Sequence, residues 1–348
     1  MKQHAPYYQK LLIDEKVFIK NIKTLQAYYK KPLGVVVKGH AYGHDLGTAA
    51  RLFIKAGVNR FICYHLSDAL SLRAEYPRLS ILLIGPICRD DLKVCRNQNI
   101  ELTIWDLSFL NVIRSEPIPT ALRDKKLKVH IEIETGMHRT GVLPELMASS
   151  ASELFSDSTF QCVGFSTHLS GADEQENLDR VQAQVQRFQA FRSHIEKTYP
   201  SWKGKLQWHG PNSAGLLIND SRVFTHARVG ILAYGFFPSA FARERWPTAS
   251  FPRPTPALKW MSRIAGWQKI PAGKYTGYGK THKTRDPVRS VMIPTGYGDG
   301  LPRSFSNTWK VKIGKRYRPI IGRVNMNQII VDVTGLPIRE EDAAVTLI

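Results

Sequence analysis

V-V-V-K-G-H-A-Y-G-H-D (Val35–Asp45) puts one lysine at the end of an all-apolar run and follows it with a loop of Gly, Tyr and His. Packing alone would not write a charged residue there. If the valines form a strand, Lys38 sits at its carboxyl end. That is where parallel α/β folds gather their functional groups. The fold class and the purpose of Lys38 are therefore one question.

Working outward, short apolar runs recur along the chain. The strand candidates are Leu33–Lys38, Arg60–Tyr64, Ser80–Gly85, Glu101–Trp105, Lys128–Glu134, Val163–His168, Leu206–His209 and Arg228–Gly235. Helix-like segments lie between them, among them Asp45–Ala56, Ser67–Glu75, Asp173–Tyr199 and Asn212–Asn219. Strand alternating with helix implies right-handed crossovers and a parallel sheet. Eight such strands fit an α/β (β/α)8 TIM barrel, and no G-x-G-x-x-G follows the first strand to favour an open dinucleotide-binding sheet. After Ser239 the pattern changes. A proline-rich stretch (Phe251–Ala257) leads into β-like runs without long helices: Leu258–Ile270, Arg289–Ile293, Lys310–Ile313, Pro319–Arg323 and Gln328–Val333. The expected organisation is a barrel over residues 12–240, with residues 1–11 and 241–348 forming a C-terminal mainly-β domain.

Length and composition agree with this division, since 348 residues exceed the usual size of a single core. No apolar run is long enough to cross a bilayer. The first ten residues carry no signal-peptide pattern, so the expected location is cytoplasmic. Cys63, Cys88, Cys95 and Cys162 have no metal-like spacing, and no metal is expected. The formal charge of +20 would suit an anionic partner. The cations are scattered, however, without an aromatic-interleaved basic motif, so a solvated surface is expected rather than a nucleic-acid partner.

Polar residues cluster where the strands end. Lys38 closes the first, His168 the sixth and His209 the seventh; Arg228 opens the eighth. Arg139 follows the fifth strand in E-T-G-M-H-R-T-G-V, and Ser213 follows the seventh in H-G-P-N-S-A-G. Taken singly, each has an ordinary explanation: a surface lysine, a structural histidine, an ion-paired arginine, a helix cap through Asn212 or Ser213. Together they place an amine, imidazoles, guanidinium groups and a phosphate-suited turn on one rim. A lysine amine forms Schiff bases with carbonyls, most often that of pyridoxal phosphate (PLP).

At this point the sequence resembles the alanine racemase family, PLP enzymes built from a barrel plus a β domain. V-V-K-G-H-A-Y-G-H-D is similar to the family's lysine motif. The likeness continues through Glu134–Val142, T-H-L-S-G-A-D-E (Thr167–Glu174), N-S-A-G (Asn212–Gly215) and A-R-V-G-I-L-A-Y-G (Ala227–Gly235). It runs on through G-Y-G-K-T (Gly277–Thr281), P-T-G-Y-G-D-G-L-P-R (Pro294–Arg303) and G-R-V-N-M-N-Q (Gly322–Gln328). The resemblance implies that Lys38 holds PLP and acts as one base. Tyr278 of a homodimer partner would be the other. Arg228 would face the pyridine nitrogen with His209 as its neighbour, and His168 would lie near the ring. Tyr42, Ser213, Gly230 and Ile231 would bind phosphate, with Asn212 beside them. Arg139 would contact the PLP phenolic oxygen and the substrate carboxylate. Met326 would donate a backbone hydrogen bond to that carboxylate, and Asp173 and Tyr297 would border the substrate's route in.

Two departures from the family stand out. Where many relatives have a carbamylated lysine, this chain has Glu132. A carboxylate supplies the negative charge directly, so Glu132 is expected to orient Arg139. Alternation along the strand places His130, Glu132 and Glu134 on one face. The chain also stops at Ala343–Ile348, where relatives continue for a few dozen residues with a tyrosine near the phosphate. A β domain short at its C-terminus is therefore expected. The implied reaction interconverts L- and D-alanine and would supply D-alanine for cell-wall peptidoglycan. The alternatives are a racemase of broad specificity for lysine, arginine or serine, and a catalytically impaired PLP-binding paralogue.

Overall fold

The computed structural model describes residues 9–218, 223–337 and 344–347. It begins with a short strand, β1 (Lys10–Ile13), and then the chain lays down eight parallel strands. These are β2 (Leu33–Val36), β3 (Arg60–Cys63), β4 (Ser80–Leu83), β5 (Glu101–Ile104), β6 (Leu127–Glu132), β7 (Phe160–Ser166), β8 (Gln207–His209) and β9 (Ala227–Val229). Their order in the sheet is β8-β7-β6-β5-β4-β3-β2-β9. A parallel bridge between His209 and His226 brings the two end strands together, so the sheet nearly closes on itself.

The apolar runs form these strands because both of their faces are covered. Val35, Phe61, Ile62, Ile81, Leu82, Val129 and Ile131 are all fully buried. Helices pack outside. Glu15–Tyr29 buries Phe18, Ile22 and Leu25, spaced along one helical stripe. Leu178–Thr198 lays Phe188 and Phe191 against Trp208, whose ring also stacks on Phe165 at 5.0 Å. Inside, one part of the barrel is apolar (Val36, Ile62, Leu82) and another is polar (Glu101, His130, His209, Arg228).

The second unit is antiparallel. Its strands are β10 (Leu258–Arg263), β11 (Gly266–Ile270), β12 (Val288–Ile293), β13 (Lys310–Ile313), β14 (Arg316–Pro319), β15 (Ile329–Asp332) and β16 (Ala344–Thr346). They form two sheets, β1-β10-β16-β13-β14 and β11-β12-β15. Val291, Ile293, Val311, Ile329, Val331 and Val345 fill their core.

Contacts divide the chain into Glu15–Pro256 and Met1–Asp14 with Ala257–Ile348. The switch in composition at residue 240 therefore precedes the structural one. Residues 241–256 stay with the barrel because Trp246 packs on Tyr28 at 4.9 Å and Asn21 exchanges two hydrogen bonds with the Thr255 backbone. The run Leu258–Ile270 breaks into two strands. Of the run Pro319–Arg323 only Pro319 lies in a strand, the end of β14. Beyond it Ile320 N donates to Trp309 O and Ile321 N to Ile330 O, both at 2.9 Å, so the chain passes from β13 toward β15. The helix expected at Asn212–Asn219 is a single 3-10 turn, Gly215–Ile218, with Asn219 outside the described residues. Part of the Ala343–Ile348 ending likewise lies outside them, namely residues 343 and 348, or at residue 344 is described by its backbone alone. Among the described residues no helix is long and apolar enough to cross a membrane.

Candidate active site

Lys38 leaves β2 through a turn of the wrong hand. Gly39, His40, Ala41 and Tyr42 have φ of 61°, 52°, 55° and 53°, a left-handed helical turn. Such backbone costs about 1–2 kcal/mol per L-residue, so surrounding contacts must over-determine it. Several do. Ala41 N donates to Val37 O at 2.9 Å, and the Tyr42 and His44 rings lie 4.8 and 4.7 Å from Tyr234. The Tyr234 hydroxyl donates to Val36 O at 2.9 Å, tying this cluster to the strand. Asp45 then caps the next helix by accepting from Thr48 N. The turn thus carries Lys38 and Tyr42 onto one rim of the barrel.

On that rim lies a cavity of ≈ 600 Å³. It is bordered by Lys38, Tyr42, Glu132, Arg139, His168, Asp173, Asn212, Ser213, Arg228, Gly230 and Ile231, every residue expected from the barrel except His209. His209 lies behind Arg228, fully buried. Tyr64, Ile84, Pro86 and Trp105 also border it and were not anticipated as site residues. Their signal was positional: Tyr64, Ile84 and Trp105 directly follow β3, β4 and β5.

The cationic side of the cavity is built in depth. Arg228 Nη2 donates to Thr167 O at 2.7 Å, and its Nη1 lies 3.3 Å from His209 Nδ1. Burial lowers the Arg228 pKa and the nearby Glu132 carboxylate opposes that shift, while a guanidinium stays charged in any case. His168 is pushed down to about 3 by burial and by the Arg228, Arg139 and Lys38 charges, so its imidazole is neutral near pH 7. Glu132 accepts from Thr140 Oγ1 at 2.8 Å, and no ion pair within 4.0 Å joins it to Arg139. The expected Glu132–Arg139 partnership is thus replaced by a threonine bond and a field on Arg228. Glu134 also departs from the alternation. The strand ends at Glu132, and Glu134 instead accepts from the backbone N–H groups of Gly136, Met137 and His138.

The opposite end of the cavity is small and rich in hydroxyls and amides. Ser213 Oγ accepts from Gly230 N at 3.1 Å and Leu232 N at 3.2 Å, which clamps the β8 and β9 turns together. A Cβ on Gly230 would fall 2.4 Å from the Tyr42 hydroxyl, so only glycine lets that phenol approach the peptide. Burial raises the Tyr42 pKa, keeping it a hydroxyl donor. Hydroxyls and peptide N–H groups around a cradle without a side chain suit a phosphate, and Lys38 stands on the same rim. These residues fit PLP. Asn212 is the exception, since its amide donates to Leu169 O and accepts from Ala214 N and Gly215 N; it is a cap for the turn. Among the described residues no group of His, Cys, Asp or Glu is arranged to hold a metal ion.

Tyr278, Tyr297 and Met326 belong to the other unit. Their side chains are exposed, Tyr278 most of all at 71%. Tyr278 opens a 3-10 turn after Gly277, while Met326 O accepts from Gly298 N at 2.8 Å, which joins the Tyr297 and Met326 loops.

Comparison with known proteins gives one result throughout. The family model "Alanine racemase, N-terminal domain" matches residues 13–238, and "Alanine racemase, C-terminal domain" matches residues 257–348. The alanine racemase of Helicobacter pylori (strain HPAG1) is 29% identical over 316 residues, 89% of this chain and 81% of that protein. Alanine racemase 1 of Caldanaerobacter subterraneus subsp. tengcongensis is 29% identical over 323 residues, 92% and 78% of the two chains. Among solved structures, alanine racemase from E. faecalis superposes with a TM-score of 0.87 at 25% identity, covering 98% of this chain and 88% of its own. That from Bacillus anthracis, with bound L-Ala-P, gives 0.83 at 27%, covering 99% and 86%. That from Bartonella henselae, with covalently bound pyridoxal phosphate, gives 0.83 at 22%, covering 99% and 91%, a likeness of fold.

Proposed function

Because this chain belongs to the alanine racemase family over both of its domains, we propose that it is a PLP-dependent racemase interconverting L- and D-alanine by two-base proton transfer. The observation that carries this reading is the gathering of Lys38, Tyr42, Arg139, His168, Ser213 and Arg228 around one rim cavity. Lys38 holds the cofactor through its amine. Tyr42, Ser213 and the Gly230 and Ile231 turn hold the phosphate. When bound, PLP supplies an electron-withdrawing ring that makes the α-proton of a linked amino acid removable. Arg228 is a donor-only cation, so it would bind a ring nitrogen without readily giving it a proton. A modest electron sink favours simple proton exchange over transamination or decarboxylation. Arg139 and the Met326 backbone hold the substrate carboxylate, while Asp173 and Tyr297 border its route in. Inverting a carbon needs an acid/base group on each face. Lys38 Nζ serves one, and the partner subunit's Tyr278 serves the other within a homodimer. The D-alanine formed would feed peptidoglycan synthesis.

The test is direct. Purified protein should show the visible absorbance of bound PLP, borohydride should fix the cofactor on the Lys38 peptide, and L-alanine should become D-alanine. Lys38→Ala and Tyr278→Phe should each lower racemisation by about 10²–10⁴-fold. A colourless protein that takes up no added PLP sinks the reading. Bound PLP without racemisation marks an impaired paralogue, and faster turnover of lysine than of alanine marks a broad racemase.

A further inference from the structure

Behind the cavity a line of side chains crosses the barrel interior from β9 to β5. Arg228 Nη1 lies 3.3 Å from His209 Nδ1, His209 Nε2 lies 2.9 Å from His130 Nδ1, and His130 Nε2 lies 2.9 Å from Glu101 Oε2. His130 and His209 are wholly buried. They belong to strands that are not neighbours, since β7 runs between them. The β7 residue in register with His130 is Gly164, where a Cβ would lie 2.9 Å from His130 Nδ1. Its φ is not in the left-handed region, so this glycine is required for space and not for backbone freedom. A side chain here would also fall 2.5 Å from Gln207 O on β8, so the bare backbone both lets β7 and β8 pack and leaves room beside the His130 ring.

We propose that Glu101 and His130 are positioning residues of the active site, which act through His209 to hold Arg228 in one hydrogen-bonded pose. Donors and acceptors along the line fix where each proton lies. An arginine has no acceptor, so His209 Nδ1 must be a lone pair and its proton must lie on Nε2. That proton points at His130 Nδ1, which must also be a lone pair, leaving the His130 proton on Nε2 to face a carboxylate. A donor-only group at one end and an acceptor-only group at the other allow the chain a single direction with both rings neutral. Its surroundings agree. Burial and the adjacent Arg228, His226 and Arg60 all oppose a second proton on His209. Burial alone would raise the Glu101 pKa, but the His130 bond and the Arg60 charge hold it below the ordinary value. The carboxylate whose charge acts directly on Arg228 is Glu132, whereas Glu101 reaches it only through the two rings.

This inference rests on the proposed PLP reading for its effect on rate, but its structural half can be measured without cofactor. Long-range ¹H–¹⁵N spectra of histidine-labelled apo-protein should show His130 and His209 as single Nε2–H tautomers. Finding either ring Nδ1–H or doubly protonated overturns the proposal. Glu101→Gln replaces the acceptor with a group that can donate or accept, so the ring signals should become mixed. Racemisation kcat should then fall about 10-fold, as for other residues that orient a primary ligand, with KM for alanine little changed. Mixed tautomers with wild-type kcat would also overturn it. Should Glu101→Gln fail to fold, because Arg60 loses its nearby charge, His130→Gln tests the same link, read on the remaining His209 ring and on kcat. A wild type with the stated tautomers that binds no PLP would refute the function and leave the hydrogen-bond chain standing.

Discussion

Single residues carry separable consequences, and the thiols give a clear case. Burial pushes Cys63, Cys95 and Cys162 up to about 12, which leaves almost no thiolate at neutral pH. Cys88 is exposed, its sulfur 3.2 Å from Asp91 Oδ2. A thiol reagent at pH 8 should therefore label one cysteine per native chain, and all 4 once the protein is denatured. Rapid labelling of a second thiol in the native state would show that the barrel interior opens. Individual residues also mark where sequence reading stops. Lys38, Arg139, His168 and Arg228 could be placed on the rim because strand ends are visible as the limits of apolar runs. The partner of Glu132 could not, because the choice between Arg139 and Thr140 depends on how the loop after β6 folds back. Nor could Glu101, which reads as an ordinary strand start: the register pairs His130 with Thr103, and Glu101 reaches the ring only along the diagonal.

At the scale of elements, the left-handed turn after β2 is where sequence and structure part most clearly. V-V-V-K reads as a strand running through Lys38, yet β2 stops at Val36 and the next residues coil the wrong way. Apolar periodicity reports which positions are covered; it does not report backbone hand. The glycines at 39 and 43 are compatible with positive φ, but His40, Ala41 and Tyr42 occupy it against their preference. Ala41 and Tyr42 are held by packing, whereas His40 is exposed. His40→Gly should thus relieve strain without removing a core contact and stabilise the protein by about 0.5–1 kcal/mol, read from the urea midpoint at constant m. A loss of stability would mean that the imidazole itself holds the turn. The eight barrel strands were legible for the opposite reason. Each is covered on both faces, so composition alone marks it, whereas the edges of the β unit and the division at residue 256 depend on contacts between distant segments.

For the whole molecule, acid stability follows from what is buried. His168 is pushed down to about 3, His209 and His226 well below the ordinary imidazole value, and His130 below it, in each case chiefly by burial. Unfolding returns these rings to about 6.5. Below that value the unfolded chain binds protons that the native one does not, so stability is fully present above pH 6.5 and declines as pH falls. The limiting slope is about 1.4 kcal/mol per pH unit for each histidine involved. Urea midpoints should therefore drop between pH 6.5 and 5, before most carboxylates titrate, and His168→Gln should flatten the slope. The formal charge of +20 also destabilises the compact state, but through a different variable. Raising salt from 0.01 to 0.15 M shortens the screening length from about 30 to about 8 Å, which weakens repulsion between surface cations while leaving buried rings nearly untouched. Added salt should lift the midpoint at every pH and leave the slope in place. A slope that vanishes with salt would assign the acid sensitivity to the surface charge and remove the histidines from the account.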